Sequence, residues 1–192
     1  ACKNAEEGQI LEGNAGAGTG ATVGKFMGIK HMMKSGLGIY AVSIGELQIA
    51  AVVAVNALGD VIDIDTGKRI AGLLNEDNTK LSNTEEKMYA QYFEDKNVFS
   101  GNTSIGCIVT NAKLSKTQAN KLASIAHNGF ARAIRPVHTM SDGDTIFVMA
   151  TGKVEVMPDA AGALATEVMA RAINRAVRAA EPAYGLKAAR EL

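Results

Sequence analysis

Two apolar runs, Leu37-Gly-Ile-Tyr-Ala-Val-Ser-Ile44 and Leu47-Gln-Ile-Ala-Ala-Val-Val-Ala-Val55, flank the two-residue turn Gly45-Glu46. Their spacing predicts a β-hairpin. The second run is hydrophobic almost without interruption, as expected of a strand buried on both faces, and such a strand needs a layer above and a layer below it. A layered α/β fold supplies both. The run ends in Asn56-Ala57-Leu58-Gly59-Asp60, which places an amide side chain at a strand terminus. Asn56 there either satisfies its own backbone in a turn or offers its amide to something else.

The rest of the chain can complete such a fold. Its 192 residues, 47% hydrophobic and 21% charged, suffice for one substantial core, so a single domain over 1–192 is expected. Lys+Arg and Asp+Glu both number 20, and with no net charge the chain lacks the field that attracts nucleic acid or an anionic membrane. We expect neither as a partner. No run of about 18 apolar residues predicts a membrane span. Cys2 and Cys107 are too far apart for a disulfide framework or a metal motif, which is compatible with a cytoplasmic location. His31, His127 and His138 share no metal-ligand spacing, and no metal or other cofactor is expected. The opening Ala1-Cys2-Lys3-Asn4-Ala5 reads as the tail of a helix.

Glycine is densest between Gly13 and Gly38. Gly16-Ala-Gly-Thr-Gly-Ala21 approaches a dinucleotide fingerprint and Gly24-Lys25 the end of a P-loop. The first does not follow a strand, and the second has Phe26 where Ser or Thr is needed. Between Gly72 and Gly101 the chain turns polar, with a short helix expected after Asn83, where Glu86 stands in the capping-box position. A strand over 104–111 precedes a helix capped by Ser115 and Gln118, with Leu122, Ile125, Ala126, Phe130 and Ala133 on one face and Arg135-Pro136 at its end. Ser141-Asp-Gly-Asp144 forms a turn that sets Asp142 and Asp144 at the mouth of a strand, Thr145 to Thr151. By itself this is ordinary β-turn chemistry. An Ala-rich helix over about 159–180 closes the chain.

The chemically informative stretch is Gly101-Asn-Thr-Ser-Ile-Gly-Cys-Ile-Val-Thr110, a small polar turn running into an apolar strand. Read alone, it is a turn entering a strand. If the Asn102–Thr103 bond were cut, however, Thr103 would carry a hydroxyl nucleophile and a free α-amine able to take its proton. An α-amine has a reference pKa of about 7.7 to 8.0, suited to a general base near neutrality.

Taken together, Glu12-Gly-Asn-Ala-Gly-Ala-Gly-Thr-Gly-Ala-Thr-Val-Gly-Lys25, Val53-Ala-Val-Asn56, Gly101-Asn-Thr-Ser-Ile-Gly106, Ala131-Arg-Ala-Ile-Arg-Pro136 and Asp142-Gly-Asp-Thr145 resemble, in this order, the L-aminopeptidase/D-esterase family of self-processing hydrolases. That family includes β-aminopeptidases and the nylon-oligomer hydrolase. The resemblance implies an α/β, αββα four-layer sandwich of the N-terminal-nucleophile-hydrolase type, made as a precursor that cuts itself between Asn102 and Thr103. Residues 1–102 would then form the part before the cut and 103–192 the part beginning with the nucleophile. It also implies Thr103 as nucleophile, Lys25 as a pocket lysine, Asn56 as oxyanion donor, and Asp142 and Asp144 as carboxylates flanking the nucleophile. The expected substrate is a peptide, an amino-acid amide or a short oligoamide. The expected partners are further copies of the chain and an upstream segment of the same precursor, carrying a pocket tyrosine, that these 192 residues lack. The other readings are an acyltransferase of the ornithine acetyltransferase type, which the Asn102-Thr-Ser104 and Asp142-Gly-Asp144 blocks do not match, and a non-catalytic homologue, against which the intact Thr103 stands.

Overall fold

The computed structural model describes residues 10–93 and 101–192. Cys2, the expected helix end at its start and the last part of the polar connector, 94–100, lie outside them. In order the elements are β1 (Thr22–Val23), β2 (Met33–Lys34), β3 (Leu37–Ile44), β4 (Leu47–Ala54), β5 (Asp60–Ile62), β6 (Arg69–Ala71), α1 (Thr84–Ala90), β7 (Ile105–Ala112), α2 (Lys116–Ala133), β8 (Ile134–Arg135), β9 (Thr145–Val154) and α3 (Pro158–Ala179).

The predicted hairpin is the start of a four-stranded sheet of order β3-β4-β7-β9. β3, β4 and β7 run antiparallel, whereas β9 lies parallel to β7, joined to it by the crossover helix α2. Ile49, Ala51, Val53 and Ile108 are buried beneath α2 and α3. Gly38 lets α3 approach closely, since a Cβ at that position would stand 2.0 Å from the Ala172 carbonyl oxygen. β1 and β2 form a separate pair, and β6-β5-β8 a small sheet packed along the helices.

The opposite face of the large sheet carries Ile105, Val109, Phe147 and Met149, which are 38–62% exposed. Residues two apart in a strand share a face, and the described residues place helices on one face of this sheet only. They thus supply one α layer and one β layer of a sandwich.

Helices α1 and α2 start as their sequences predict. Ser115 and Gln118 make a reciprocal capping box on α2, and Asn83 caps α1 by accepting from the amides of Glu85 and Glu86. α2 ends at Ala133 rather than at Arg135, because Ile134 and Arg135 leave the helix to pair with β5.

The glycine block has the wrong polarity for a phosphate cradle. The carbonyls of Gly18 and Ala21 turn inward to accept from the buried ammonium of Lys34 at 2.8 and 2.9 Å, and the Ser35 carbonyl accepts from it as well. A phosphate site needs N–H groups facing the ligand, and here the loop offers carbonyl oxygens to a cation.

Candidate active site

Strand register brings the site together. Ala54 of β4 pairs with Ile105 of β7, and carrying that register two residues outward sets Asn56 opposite Thr103. The Thr103 amide donates to the Asn56 carbonyl at 2.9 Å. On the other side Ile105 pairs with Thr145 and Asn102 bridges Asp142, so Gly143 lies beside Thr103. Thr103 therefore stands at the edge of the sheet between Asn56 and Gly143. Asn102 before it is buried, and Thr103 is half-buried.

The Asn102–Thr103 peptide is contacted at each of its polar atoms. Thr103 Oγ1 donates to the Asn102 carbonyl oxygen at 2.6 Å. The same oxygen accepts the Gly143 amide at 2.9 Å. The nitrogen of the bond is held by Asn56, as above.

Lys25 is fully buried, with its Nζ 2.6 Å from Asn56 Oδ1, 3.4 Å from the Asn56 carbonyl and 3.3 Å from the Gly101 carbonyl. Burial lowers its pKa from 10.5 to about 8, while the charge of Asp142 acts in the opposite direction. The Thr22 amide also donates to Asn56 Oδ1, at 3.2 Å. With its oxygen held by two donors, the Asn56 amide points its Nδ2 at the Gly101 carbonyl, 2.8 Å away. Its side-chain donor thus rests one residue before the Asn102 carbonyl, where the Gly143 amide is bound instead.

Asp142 and Asp144 flank Gly143 and accept from different partners. Asp142 accepts from the Leu58 amide at 3.3 Å and from the amide and hydroxyl of Thr139 at 3.1 and 2.7 Å, which fixes the loop after Asn56 against the Asp142 turn. Asp144 accepts from the Ser104 amide at 2.9 Å and lies 2.9 Å from His138 Nδ1. Burial raises the Asp144 pKa, and the Ser104 amide and His138 pull it back. The ring of His138 stacks on Phe130 and its Nε2 is 3.3 Å from His127 Nδ1. Burial and the neighbouring His138 lower the His127 pKa.

All five expected site residues, Lys25, Asn56, Thr103, Asp142 and Asp144, come together with Asn102 at this end of the sheet. Sequence reasoning missed Gly143 and His138. In the sequence Gly143 reads only as turn chemistry. His138 had no motif to mark it, although it precedes the Asp142 turn by only a few residues. Among the described residues no group of three His, Cys, Asp or Glu side chains could hold a metal ion, and no helix is long and apolar enough to cross a membrane.

Comparison with known proteins gives this arrangement a lineage. The chain is 34% identical over 199 residues to an uncharacterised aminopeptidase of Mycobacterium leprae, covering 94% of this chain and 52% of that protein. It is 30% identical over 190 residues to the 6-aminohexanoate-oligomer endohydrolase of a Kocuria species, covering 89% and 52%. The chain thus spans about half the length of the curated relatives it matches. Among solved structures, the L-aminopeptidase D-Ala-esterase/amidase of Ochrobactrum anthropi, a variant of the Ntn hydrolase fold, superposes with a TM-score of 0.67 at 20% identity over 100% of this chain and 53% of that one. A Burkholderia β-aminopeptidase also superposes at 0.67, with 21% identity over 98% and 52%. These likenesses establish the N-terminal-nucleophile hydrolase fold. Because the family profile of peptidase family S58 matches residues 1–190, nearly end to end, the chain that sets Thr103 between Asn56 and Gly143 belongs to that family.

Proposed function

We propose that the polypeptide to which this chain belongs is a self-processing amide hydrolase, of aminopeptidase or amidase type, with Thr103 as its nucleophile. The observation that carries the reading is the contact between Thr103 Oγ1 and the Asn102 carbonyl, the carbonyl of the bond to be cut, at 2.6 Å. A turn about χ1 moves the hydroxyl oxygen from the carbonyl oxygen to the adjacent carbon. Oγ1 then bonds to the Asn102 carbonyl carbon and the C–N bond breaks, while the hydroxyl proton passes to the departing Thr103 nitrogen. Water next hydrolyses the Asn102 ester. Its hydroxide joins the acyl carbon and its proton returns to Oγ1, leaving an Asn102 carboxylate and a Thr103 with both hydroxyl and amine free.

In the processed protein the Thr103 amine sits where the amide nitrogen now lies, in reach of the Asn56 carbonyl, and can take the hydroxyl proton as the hydroxyl attacks a substrate amide. Asp144 holds the neighbouring Ser104 amide, so its charge lies close enough to tune that amine. The names of the relatives favour peptides, amino-acid amides or short oligoamides as substrates. We further propose that the remainder of the polypeptide covers the exposed sheet face as the second sheet of the αββα sandwich, and that the assembled protein is a homo-oligomer.

Intact mass spectrometry of the whole precursor tests the central step. Wild type and Thr103→Ser should yield a fragment beginning Thr103 or its serine replacement, and Thr103→Ala should remain full length. A Thr103→Ala protein cut at the same bond as wild type would refute self-cleavage by this hydroxyl. Release of p-nitroaniline from an amino-acid p-nitroanilide, without stimulation by an acetyl acceptor, separates hydrolysis from acyl transfer.

A further inference from the structure

We infer that Gly143 is a catalytic residue of this site, its backbone amide stabilising the oxyanion on the Asn102 carbonyl during self-cleavage and on the substrate carbonyl during turnover. The inference rests on the proposed role of Thr103. Two observations converge on it. The Gly143 amide already donates to the Asn102 carbonyl oxygen at 2.9 Å, the oxygen that gains negative charge when Oγ1 adds to its carbon. In addition, a Cβ at position 143 would stand 2.7 Å from Thr103 Oγ1, so a side chain there would displace the nucleophile. A residue that contacts the reacting oxygen through its amide, and admits the hydroxyl by lacking a Cβ, has to be glycine.

The sheet explains why this donor is preorganised. β7 and β9 are parallel, and their pairing runs backwards past the strand ends through Thr145 N–H to Ser104 O at 3.0 Å and the Asn102–Asp142 bridge. The Gly143 amide is therefore one rung of a ladder, fixed before the reaction begins, and a fixed donor needs no reorganisation as charge develops. The Asn102 ester formed in self-cleavage is chemically an acyl-enzyme on Thr103. A substrate acyl group bound to the same Oγ1 can place its carbonyl oxygen in the same position, so one donor serves both reactions.

The test replaces the amide by an ester in the full precursor, translated in vitro with glycolic acid at position 143. This removes the N–H and adds no side chain. Glycolic acid at position 152, where a Cβ would meet nothing within 4 Å, controls for the ester itself. Appearance of the Thr103 fragment should slow about 10²- to 10³-fold at position 143, the usual cost of losing one oxyanion donor, and turnover of processed material should fall similarly. The control should stay within a few-fold of wild type. Normal cleavage and turnover with glycolate at 143 would overturn the inference. Should that protein lack native circular dichroism, Gly143→Ala decides, because its methyl must push away either Oγ1 or the turn that carries the amide. A natively folded Gly143→Ala that cleaves at the wild-type rate overturns the inference as well. Thr103→Ala, assayed alongside, separates the two levels. If it is also cut, the reading of Thr103 fails. If it stays intact while glycolate at 143 cleaves normally, only the role of Gly143 falls.

Discussion

The buried ammonium of Lys25 lies 2.6 Å from the side-chain oxygen of Asn56, and this contact decides which way the Asn56 amide points. With Oδ1 held by Lys25 and the Thr22 amide, the donor half of the amide must face Gly101 and the strand end that carries Thr103. A lysine more than thirty residues away in sequence thus makes the shortest of the contacts that orient this amide.

Lys25 also sets a pH dependence whose sign can be worked out. Its pKa falls from 10.5 to about 8 on folding because burial disfavours the charged form. The unfolded chain therefore holds this proton over a range, about pH 8 to 10.5, in which the folded chain has released it, and stability rises with pH across that window. Activity should move the other way, declining as pH passes 8 and Asn56 loses a charged donor. Lys25→Met should lower the rate about 10- to 150-fold, equivalent to the 1.5–3 kcal/mol of a charged hydrogen bond, and remove both trends. Rate and denaturation midpoint measured from pH 6 to 10 check this, and a mutant with the wild-type alkaline decline would exclude Lys25 as its source.

Much of this site was legible only through the resemblance of its blocks to a known family, because strand ends read alone look like ordinary turns. Asn56 closes one run and Thr103 opens another, and the Asp142 turn introduces a third. What could not be read was the pairing between them. That β4 and β9 flank β7 from opposite sides, with β9 parallel, follows from the long-range crossover through α2, and no local pattern encodes it. The short strands β5, β6 and β8 were missed for a related reason. Two or three residues cannot display a period, and Ile134 and Arg135 look like the last turn of α2 until β5 is placed beside them. His138 belongs to the same class, since it becomes informative only when the fold brings it to Asp144.

Asp144 and His138 can be separated by substitution. Asp144→Asn keeps an oxygen for the Ser104 amide and removes the charge, so its effect reports the carboxylate's influence on the new amine. We expect kcat to fall about 10²- to 10⁴-fold, the range of a misplaced acid or base. Because burial raises the Asp144 pKa, stability should decline as pH rises from the unfolded value near 3.8 through the raised folded one. His138→Phe keeps an aromatic ring against Phe130 but removes the group that pulls this pKa down, so it should move the acid limb of the rate profile upward. An acid limb that stays put would show that His138 only packs.

The long helices are scaffold. Leu122 lies on the buried face of α2, and Leu122→Ala should cost about 2–5 kcal/mol in a denaturation curve. The folded fraction should retain its specific activity. Unchanged stability with lost turnover would place α2 in the site.

The exposed sheet face tests the fold independently of the chemistry. Val109 and Phe147 stand on adjacent strands of that face, and apolar residues grouped in this way mark surfaces that something covers. Val109→Lys with Phe147→Lys should make the 192-residue chain less prone to self-association in sedimentation. In the whole polypeptide the same pair should lower the melting temperature and leave precursor uncut, because burying two ammonium groups against a second sheet is unfavourable. If the double mutant of the whole polypeptide melts and self-cleaves as wild type does, this face stays open to solvent.

The final prediction concerns how the site changes once the bond is cut. In the uncut chain Asn56 Nδ2 is engaged by the Gly101 carbonyl, while the Asn102 carbonyl is served by Gly143. The proposed cleavage would turn Asn102 into a chain end, and the segment carrying Gly101 would no longer have to hold its place. Nδ2 is then available to a substrate carbonyl bound at Thr103, so Asn56 should matter more to turnover than to self-cleavage. Asn56→Asp is the informative change, because it keeps the oxygen that accepts from Lys25 and Thr22 and replaces the donor with a second acceptor oxygen that is nearly the same size. We expect kcat on an amino-acid p-nitroanilide to fall about 10²- to 10³-fold, as for other lost oxyanion donors, with KM little altered. Self-cleavage should slow much less. It should still slow, since a carboxylate facing the Gly101 carbonyl sets two acceptors against each other where a donor stood. Measuring both rates on one preparation, precursor first and processed enzyme afterwards, gives the ratio directly. Equal losses in the two steps would mean that the Asn56 side chain acts by holding the strand end in place, through its Nδ2 contact with the Gly101 carbonyl, and is not an oxyanion donor.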